Sequence, residues 1–290
     1  MKKIYSILVA YNPDLEELNQ AVERLKKQTD IVIVCNNSDY DVKFDDEQLK
    51  VFNFGENLGI AKAQSIGMKW AFENGADFIL QMDQDSIPHD DLVEKLLECY
   101  EELTEKGYKV GLVGSQDYDK DTHHISKPKI DKGSFLEKEN YIKINQVISS
   151  GSLIPKSTYN KVGGMEDGLF IDAVDFEYCW RIINAKLILV RNIEAKIAHK
   201  LGNGTKRVFA FINVIIPSPI RHYYQTRNLF LLIDRKYVPL YWKISNLIKL
   251  FLKLIFSPFI FNERKKRLFF MFKGIKDGIL RKKGRIDIAK

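Results

Sequence analysis

Two carboxylates one residue apart, Asp83 and Asp85, follow the apolar run Phe78-Ile79-Leu80-Gln81-Met82. The run reads as a buried strand. The acids that end it form a corner of hard oxygen ligands suited to Mg²⁺ or Mn²⁺ beside a diphosphate, because ligands of open α/β sheets gather at the carboxyl ends of strands. The spacing alone is not the signal. It recurs at Asp39/Asp41, Asp117/Asp119 and Asp119/Asp121, in polar stretches that read as solvated loops; only at 83 and 85 does it close a candidate central strand. The competing reading is that Asp85 and Ser86 merely turn the chain ahead of Pro88. A second set of acids, Asp172, Asp175 and Glu177, opens a segment of helical spacing over 174–184. Asp175 and Glu177 diverge by about 200° around a helix, so both cannot enter one cleft. Asp172, with Asp175 three residues on, also matches a reciprocal capping arrangement that serves only stability.

The elements that must position these acids alternate in type. Strands are expected over 4–10, 31–35, 49–54 and 77–82, with amphipathic helices over 14–28 and 58–74, the latter ending at Gly75. Pro88 then starts a helix over 89–106, followed by a strand over 110–115. Residues 117–145 are polar and irregular, a mobile loop or small insertion. A strand over 147–155 contains Gly151, which permits close approach of backbone or ligand. Short strands over 187–190 and 193–199 follow, and Pro217 and Pro219 open a helix that runs through 235. Strands alternating with helices at this rhythm imply an α/β fold, Rossmann-like, with a mostly parallel sheet flanked by helices.

The chain has 290 residues, 45% hydrophobic and 29% charged, enough for one large α/β domain and an appendage. Cys35, Cys99 and Cys179 are odd in number and lack a C-x-x-C pairing, as expected of a reducing cytoplasm. The apolar run behind Met1-Lys2-Lys3 is too short for a signal peptide and reads as the first strand. Net charge is +7, and residues 261–290 hold 11 Lys/Arg against 3 Asp/Glu, which leaves the rest near neutral. That distribution argues against nucleic acid as a partner and for a tail that meets an anionic surface. Residues 242–256 are apolar except at Lys243, Asn246, Lys249 and Lys253, which share one helical face; the run is shorter than the roughly 20 apolar residues of a membrane span. With Arg264-Lys265-Lys266-Arg267 behind it, the segment fits a helix lying in a bilayer interface, its basic residues on anionic headgroups. The competing reading is a helical pair packed on its own domain or on a homodimer partner.

Four stretches now line up. Ser6 through Pro13, Asn57-x-Gly59-x-Ala61-x-Ala63-x-Ser65-x-Gly67, Asp83-Gln84-Asp85 and Phe170 through Arg181 occur in the order of the motifs of family 2 glycosyltransferases of the GT-A fold, which the chain resembles from about residue 4 to 235. Asp83-Gln84-Asp85-Ser86, Ser149-Ser150-Gly151-Ser152 and the 174–181 helix look most like bacterial rhamnosyltransferases of surface-polysaccharide assembly. The resemblance implies a GT-A domain over 1–235 and a basic, membrane-associating helical region over 236–290. It implies that Ala10, Tyr11 and Asn12 hold the nucleoside with Asn36, and that Asn57 and Lys62, or Gln64, reach the nucleotide from the start of a helix whose N-terminus favours an anion. Asp83, with Gln84, would face the ribose or the metal and Asp85 would be the direct Mg²⁺ or Mn²⁺ ligand, with His199 near diphosphate or metal. Asp175 would be the base of an inverting transfer, and Gly151 and Arg227 would lie near acceptor or diphosphate. The sequence departs from the family at Cys35, where an Asp commonly sits near the base; recognition would pass to Asn36, Asn37 or Asp39, and the nucleotide stays open.

The implied enzyme is peripheral on the cytoplasmic face of the membrane. It would move L-rhamnose from dTDP-rhamnose to a polyprenyl-diphosphate-linked glycan. A UDP-hexose or galactofuranose donor, or a non-catalytic nucleotide-sugar-binding scaffold, are the alternatives. The Gln-x-x-Arg-Trp motif of processive synthases is missing.

Overall fold

The computed structural model of the chain describes residues 2–120, 122, 124–125, 133–199, 205–208, 212–215, 217–260 and 262–287. The chain divides into two compact units, residues 1–167 with 175–200 and residues 168–174 with 201–290. The helix expected to close the first domain near residue 235 therefore groups with the C-terminal helices.

In the first unit, β1 (Ile4–Ala10) is buried at all seven positions, which explains a sequence apolar but for Ser6, whose hydroxyl pairs with that of Thr29: both faces are covered. α1 (Leu15–Lys26) buries Leu18, Ala21, Val22 and Leu25, and the Asp14 carboxylate caps it by accepting the N–H groups of Glu16 and Glu17, a contribution of about 1 kcal/mol. Then come β2 (Ile31–Asn36), β3 (Leu49–Asn53), α2 (Ile60–Glu73) and β4 (Phe78–Asp83). The order β3-β2-β1-β4 is parallel throughout, as expected, and its register aligns Cys35, Val9 and Asp83 across three strands. α2 lies close on this sheet at Gly67, where a Cβ would stand 2.8 Å from Ile7 Cγ2 and 3.2 Å from Cys35 Sγ.

Beyond β4 the chain departs from simple alternation. Pro88 ends a short strand, β5 (Ser86–Pro88), and α3 (Leu92–Glu105) starts later than expected. β6 (Val110–Asp119), β7 (Ser134–Leu136) and β8 (Lys138–Ile144) occupy much of the stretch read as irregular. β8 escaped notice because its outer positions are charged, yet it buries Tyr141 and Ile144 and pairs antiparallel with β10 (Ile188–His199). Only the end of 147–155 is a strand, β9 (Ser152–Pro155), which runs antiparallel between β4 and β6. α4 (Lys156–Val162) and α5 (Val174–Asn184) follow it. The two short strands expected over 187–199 are one, β10, broken in register between Arg191 and Lys196. Cys35, Cys99 and Cys179 are buried with free thiols, each pushed up to about 12 by burial.

The second unit holds β11 (Thr205–Val208), β12 (Ile212–Ile215), α6 (Pro219–Leu232), α7 (Leu240–Ile260) and α8 (Arg264–Ile279). α8 packs tightly on α6 through Gly274 and Gly278, where a Cβ would meet Tyr223 O at 2.7 Å and Phe230 Cβ at 2.7 Å. α7 is inside out. Ile244, Ile248, Phe251 and Ile255 are exposed on one face, Phe251 at 63%, while Asn246, Lys249 and Lys253 fall on the opposite one. The lysines do not all face outward as expected: Lys243 Nζ donates to Arg235 O at 2.8 Å and Lys253 Nζ to Gln225 Oε1 at 2.8 Å. Among the described residues no helix is long and apolar enough to cross a membrane.

Candidate active site

At the carboxyl ends of β1, β2 and β4, side chains lace three loops together. Gln84 and Asp85 form the tight turn between β4 and β5, so both acids of the pair, Asp83 and Asp85, sit half-buried at one corner. Gln84 pairs reciprocally with the backbone of Tyr11, accepting its N–H at 2.6 Å and donating to its carbonyl at 3.3 Å. Asn12 N–H donates to Ser38 Oγ at 2.9 Å, which ties the β1 loop to the β2 loop. The Asp83 N–H donates to Ser150 Oγ at 3.2 Å, and Ser150 donates onward to Ser86 Oγ at 2.9 Å. This serine pair was legible only as a motif; its role depends on β9 lying beside β4.

Gly151 makes that approach possible. Its φ is +73°, and a Cβ there would stand 2.1 Å from Ser115 Oγ; its N–H donates to Gln81 O at 2.8 Å. It is buried, so what it supplies is close passage of backbone rather than a surface for a ligand.

The expected nucleotide residues fall into two groups. Asn36 is fully enclosed and committed to the fold: it donates to Tyr40 O at 2.7 Å and Asn53 Oδ1 at 2.9 Å and accepts from Ser38 N at 3.0 Å. Ala10 is likewise enclosed, its carbonyl accepting from Asn37 N at 2.8 Å. Asn37 accepts the Leu58 N–H at 3.1 Å and Asn57 that of Gly59 at 2.9 Å, and these bonds shape the entry to α2. Cys35 is buried against α2 at Gly67. Tyr11, Asn12, Asp39 and Lys62 are the exposed members. Gln64 is buried on α2, and neither end of its amide bonds another group among the described residues.

The three acids of the second set separate cleanly. Glu177 is fully buried and accepts from Arg181 Nε at 2.9 Å, while the same guanidinium donates to the Val162 and Gly164 carbonyls. Asp175, in the first turn of α5, is half-buried, and its carboxylate accepts the Phe176 N–H at 2.9 Å. In the second unit, Asp172 accepts two bonds from Arg221, at 2.5 and 3.2 Å, so its carboxylate serves an ion pair rather than the expected cap.

His199 ends β10 opposite Ser86 and Asp119 in register; its side chain lies outside the described residues. Arg227 does not face a ligand as expected. It is fully buried under the rings of Tyr223 and Tyr224, and its guanidinium donates to the carbonyls of Gly168, Leu169 and Gly284. Asn228 adds bonds to the carbonyls of Leu169, Ile171 and Asp172 at 2.7 to 3.1 Å. Together they clamp a segment in which Phe170, Asp172 and Ala173 all have left-handed φ, between 63° and 69°. Strain of this kind costs roughly 1 kcal/mol or more per residue and persists only where surroundings enforce it.

Among the described residues no three carboxylates, imidazoles or thiols gather round one point. Asp83 and Asp85 still fit a Mg²⁺-type ion, which is commonly held by one or two carboxylates and completed by substrate phosphates and water.

Residues 6–163 match the family described as Glycosyl transferase family 2. The chain belongs to that family, and it is a glycosyltransferase. It is 34% identical over 282 residues to the dTDP-rhamnosyl transferase RfbF of Shigella flexneri, across 94% of this chain and 93% of that one. Among solved structures it resembles GalNAc-T7 with UDP, GalNAc and Mn²⁺ (TM-score 0.57, 13% identity, 88% of this chain and 57% of that one). It also resembles S. aureus TarS (TM-score 0.57, 14% identity, 96% and 49%). The chain spans about half the length of these two structures, and at such identities the likeness shows the GT-A fold alone.

Proposed function

We propose that the chain is an inverting transferase that moves L-rhamnose from dTDP-rhamnose to a glycan carried on a polyprenyl diphosphate, at the inner face of the cell membrane. The observation that carries this reading is the likeness over nearly the whole of both chains to a dTDP-rhamnosyl transferase. The site's chemistry agrees with it. Tyr11 offers an exposed ring for a base to stack on, and Asp39 is the exposed carboxylate beside the enclosed Asn36. Lys62, in the first turn of α2, adds a cation to a helix N-terminus that favours the diphosphate. Asp83 and Asp85 would hold Mg²⁺ or Mn²⁺, which when bound offsets the negative charge on the departing dTDP. Asp175 takes the proton of the acceptor hydroxyl as that oxygen attacks the anomeric carbon opposite the diphosphate. The new glycosidic C–O bond forms, the C–O bond to dTDP breaks, and configuration inverts. Asp175 is preferred over its rivals because it stands at the place of the base in the helix motif that resembles the family's and is half-buried, whereas Glu177 is fully buried on an arginine.

The exposed apolar face of α7, with Arg264, Lys265 and Lys266 exposed beyond it, suits a helix embedded at an anionic bilayer surface. A lipid-borne acceptor is confined to that surface. The deciding experiment offers the purified protein a panel of dTDP-, UDP- and GDP-sugars with a lipid-diphosphate glycan acceptor, and reads product by mass. Transfer from dTDP-rhamnose above all others is expected; preference for a UDP-hexose, or no transfer at all, overturns the reading.

A further inference from the structure

The second unit carries a cation cluster that the transfer chemistry above does not use. Arg221, in the first turn of α6, grips Asp172 with two bonds in the fork geometry by which guanidinium also binds phosphate. The Asp172 backbone is held, left-handed at φ 69° with its carbonyl accepting from the Asn228 amide at 2.9 Å, whereas the Arg221 side chain is exposed and can exchange this carboxylate for another anion. On α7, Lys253 is half-withdrawn from solvent and bonded to Gln225, one turn along α6 from Arg221. Burial draws its ammonium below the usual lysine range; Asp172 acts against that shift and Lys249, one turn earlier on α7, adds to it. Arg221 thus holds the Asp172 carboxylate, Lys253 feels the same carboxylate, and Lys249 stands beside Lys253 on the face of α7 that opposes its exposed apolar row.

One helix therefore shows hydrocarbon-compatible side chains on one side and cations on the other. We propose that Arg221, Lys249 and Lys253 bind the diphosphate of the lipid-linked acceptor, with the Asp172 carboxylate holding the arms in order as an internal stand-in for a phosphate. The prenyl chain then lies along Ile244, Ile248, Phe251 and Ile255. This deepens the acceptor assignment above and rests on it. An amphiphile with a doubly anionic head and a long branched tail is the ligand class matched by both faces at once; a free sugar or a soluble nucleotide matches only one.

Binding of the full-length protein to neutral phosphatidylcholine vesicles doped with farnesyl diphosphate tests the site, with farnesol-doped vesicles, inorganic pyrophosphate and phosphatidylglycerol vesicles as separate arms. The wild type should prefer farnesyl diphosphate to farnesol. Lys249→Gln, at an exposed position, should weaken that binding about tenfold, and adding Arg221→Gln should weaken it about tenfold again. Arg221→Lys should restore part of the loss, while dTDP binding and phosphatidylglycerol binding stay at wild-type levels. Equal binding of farnesol, wild-type affinity in both variants, or a parallel loss on phosphatidylglycerol overturns the site. Pyrophosphate that binds as tightly as the lipid shows a free-anion site and overturns it too. Failure of the wild type to bind dTDP-rhamnose strikes the donor assignment and leaves these outcomes readable.

Discussion

Asp175 and Glu177 are two residues apart on one helix and have opposite employments. Replacing Glu177 by Ala leaves Arg181 largely buried without its carboxylate, a loss on the order of 3 kcal/mol, which a denaturant titration would record as a lower midpoint. Asp175→Asn should leave that midpoint within about 0.5 kcal/mol and lower kcat by roughly 10² to 10⁴ with dTDP affinity intact. Gly151→Ala forces a side chain against Ser115 at a left-handed backbone position, and should cost about 2 kcal/mol or more and lower the Tm. At this scale the sequence was informative about which residue types matter and much less about where they point. Asp83, Asp85 and Gly151 could be located because each ends or interrupts an apolar run. Asn36 and Arg227 carried the right chemistry but lie enclosed among carbonyl and amide partners that come from distant stretches, Asn53 in one case and the 168–172 turn in the other. Nothing in their own neighbourhoods announces such partners.

Helices α6 and α8 join around His222, a buried imidazole whose Nε2 lies 2.9 Å from Arg267 Nη1. The guanidinium can only donate, so the imidazole accepts there and is neutral. Burial, with Lys253 and Arg267 nearby, lowers its pKa from 6.5 to about 4. The unfolded chain then binds a proton that the folded one refuses between those values, and stability is full above pH 6.5 and lost progressively as pH falls towards 4. The depression amounts to about 3 kcal/mol at its limit; unfolding followed by circular dichroism should show it, and His222→Gln should flatten that pH dependence. For α7 the informative change is on its outer face. Phe251→Glu with Ile255→Glu should abolish most binding to phosphatidylglycerol vesicles in flotation, by about tenfold per side chain, without altering the Tm. Removing α7 and α8 outright would be a poorer test, because α8 buries Phe270 and Met271 in the second unit. Helix periodicity gave α5 and α7 close to their true limits, since each is amphipathic, and Pro219 marked the start of α6, which is buried nearly all round. β5 and β7 were missed because three residues are too few to show a period, and β8 because its outer positions are charged.

For the molecule as a whole, the parallel pairing of the first four strands followed from the alternation of strands and helices, and their order did not. The antiparallel insertion of β9 did not, because pairing between residues some seventy positions apart leaves no local trace. A donor site that depends on a divalent ion should show itself without turnover: dTDP at about 100 times its Kd should stabilise the protein by roughly 3 kcal/mol in a thermal melt with Mn²⁺ present. Chelation, or Asp85→Asn, should remove most of that shift. The sealed sulfur atoms have a practical consequence for such work. Since Cys35, Cys99 and Cys179 are all enclosed and protonated at neutral pH, the folded protein offers a silent background for maleimide labelling. A lone cysteine placed at Ile248 or Phe251 can then carry a dye that reports immersion depth with no native residue competing for it.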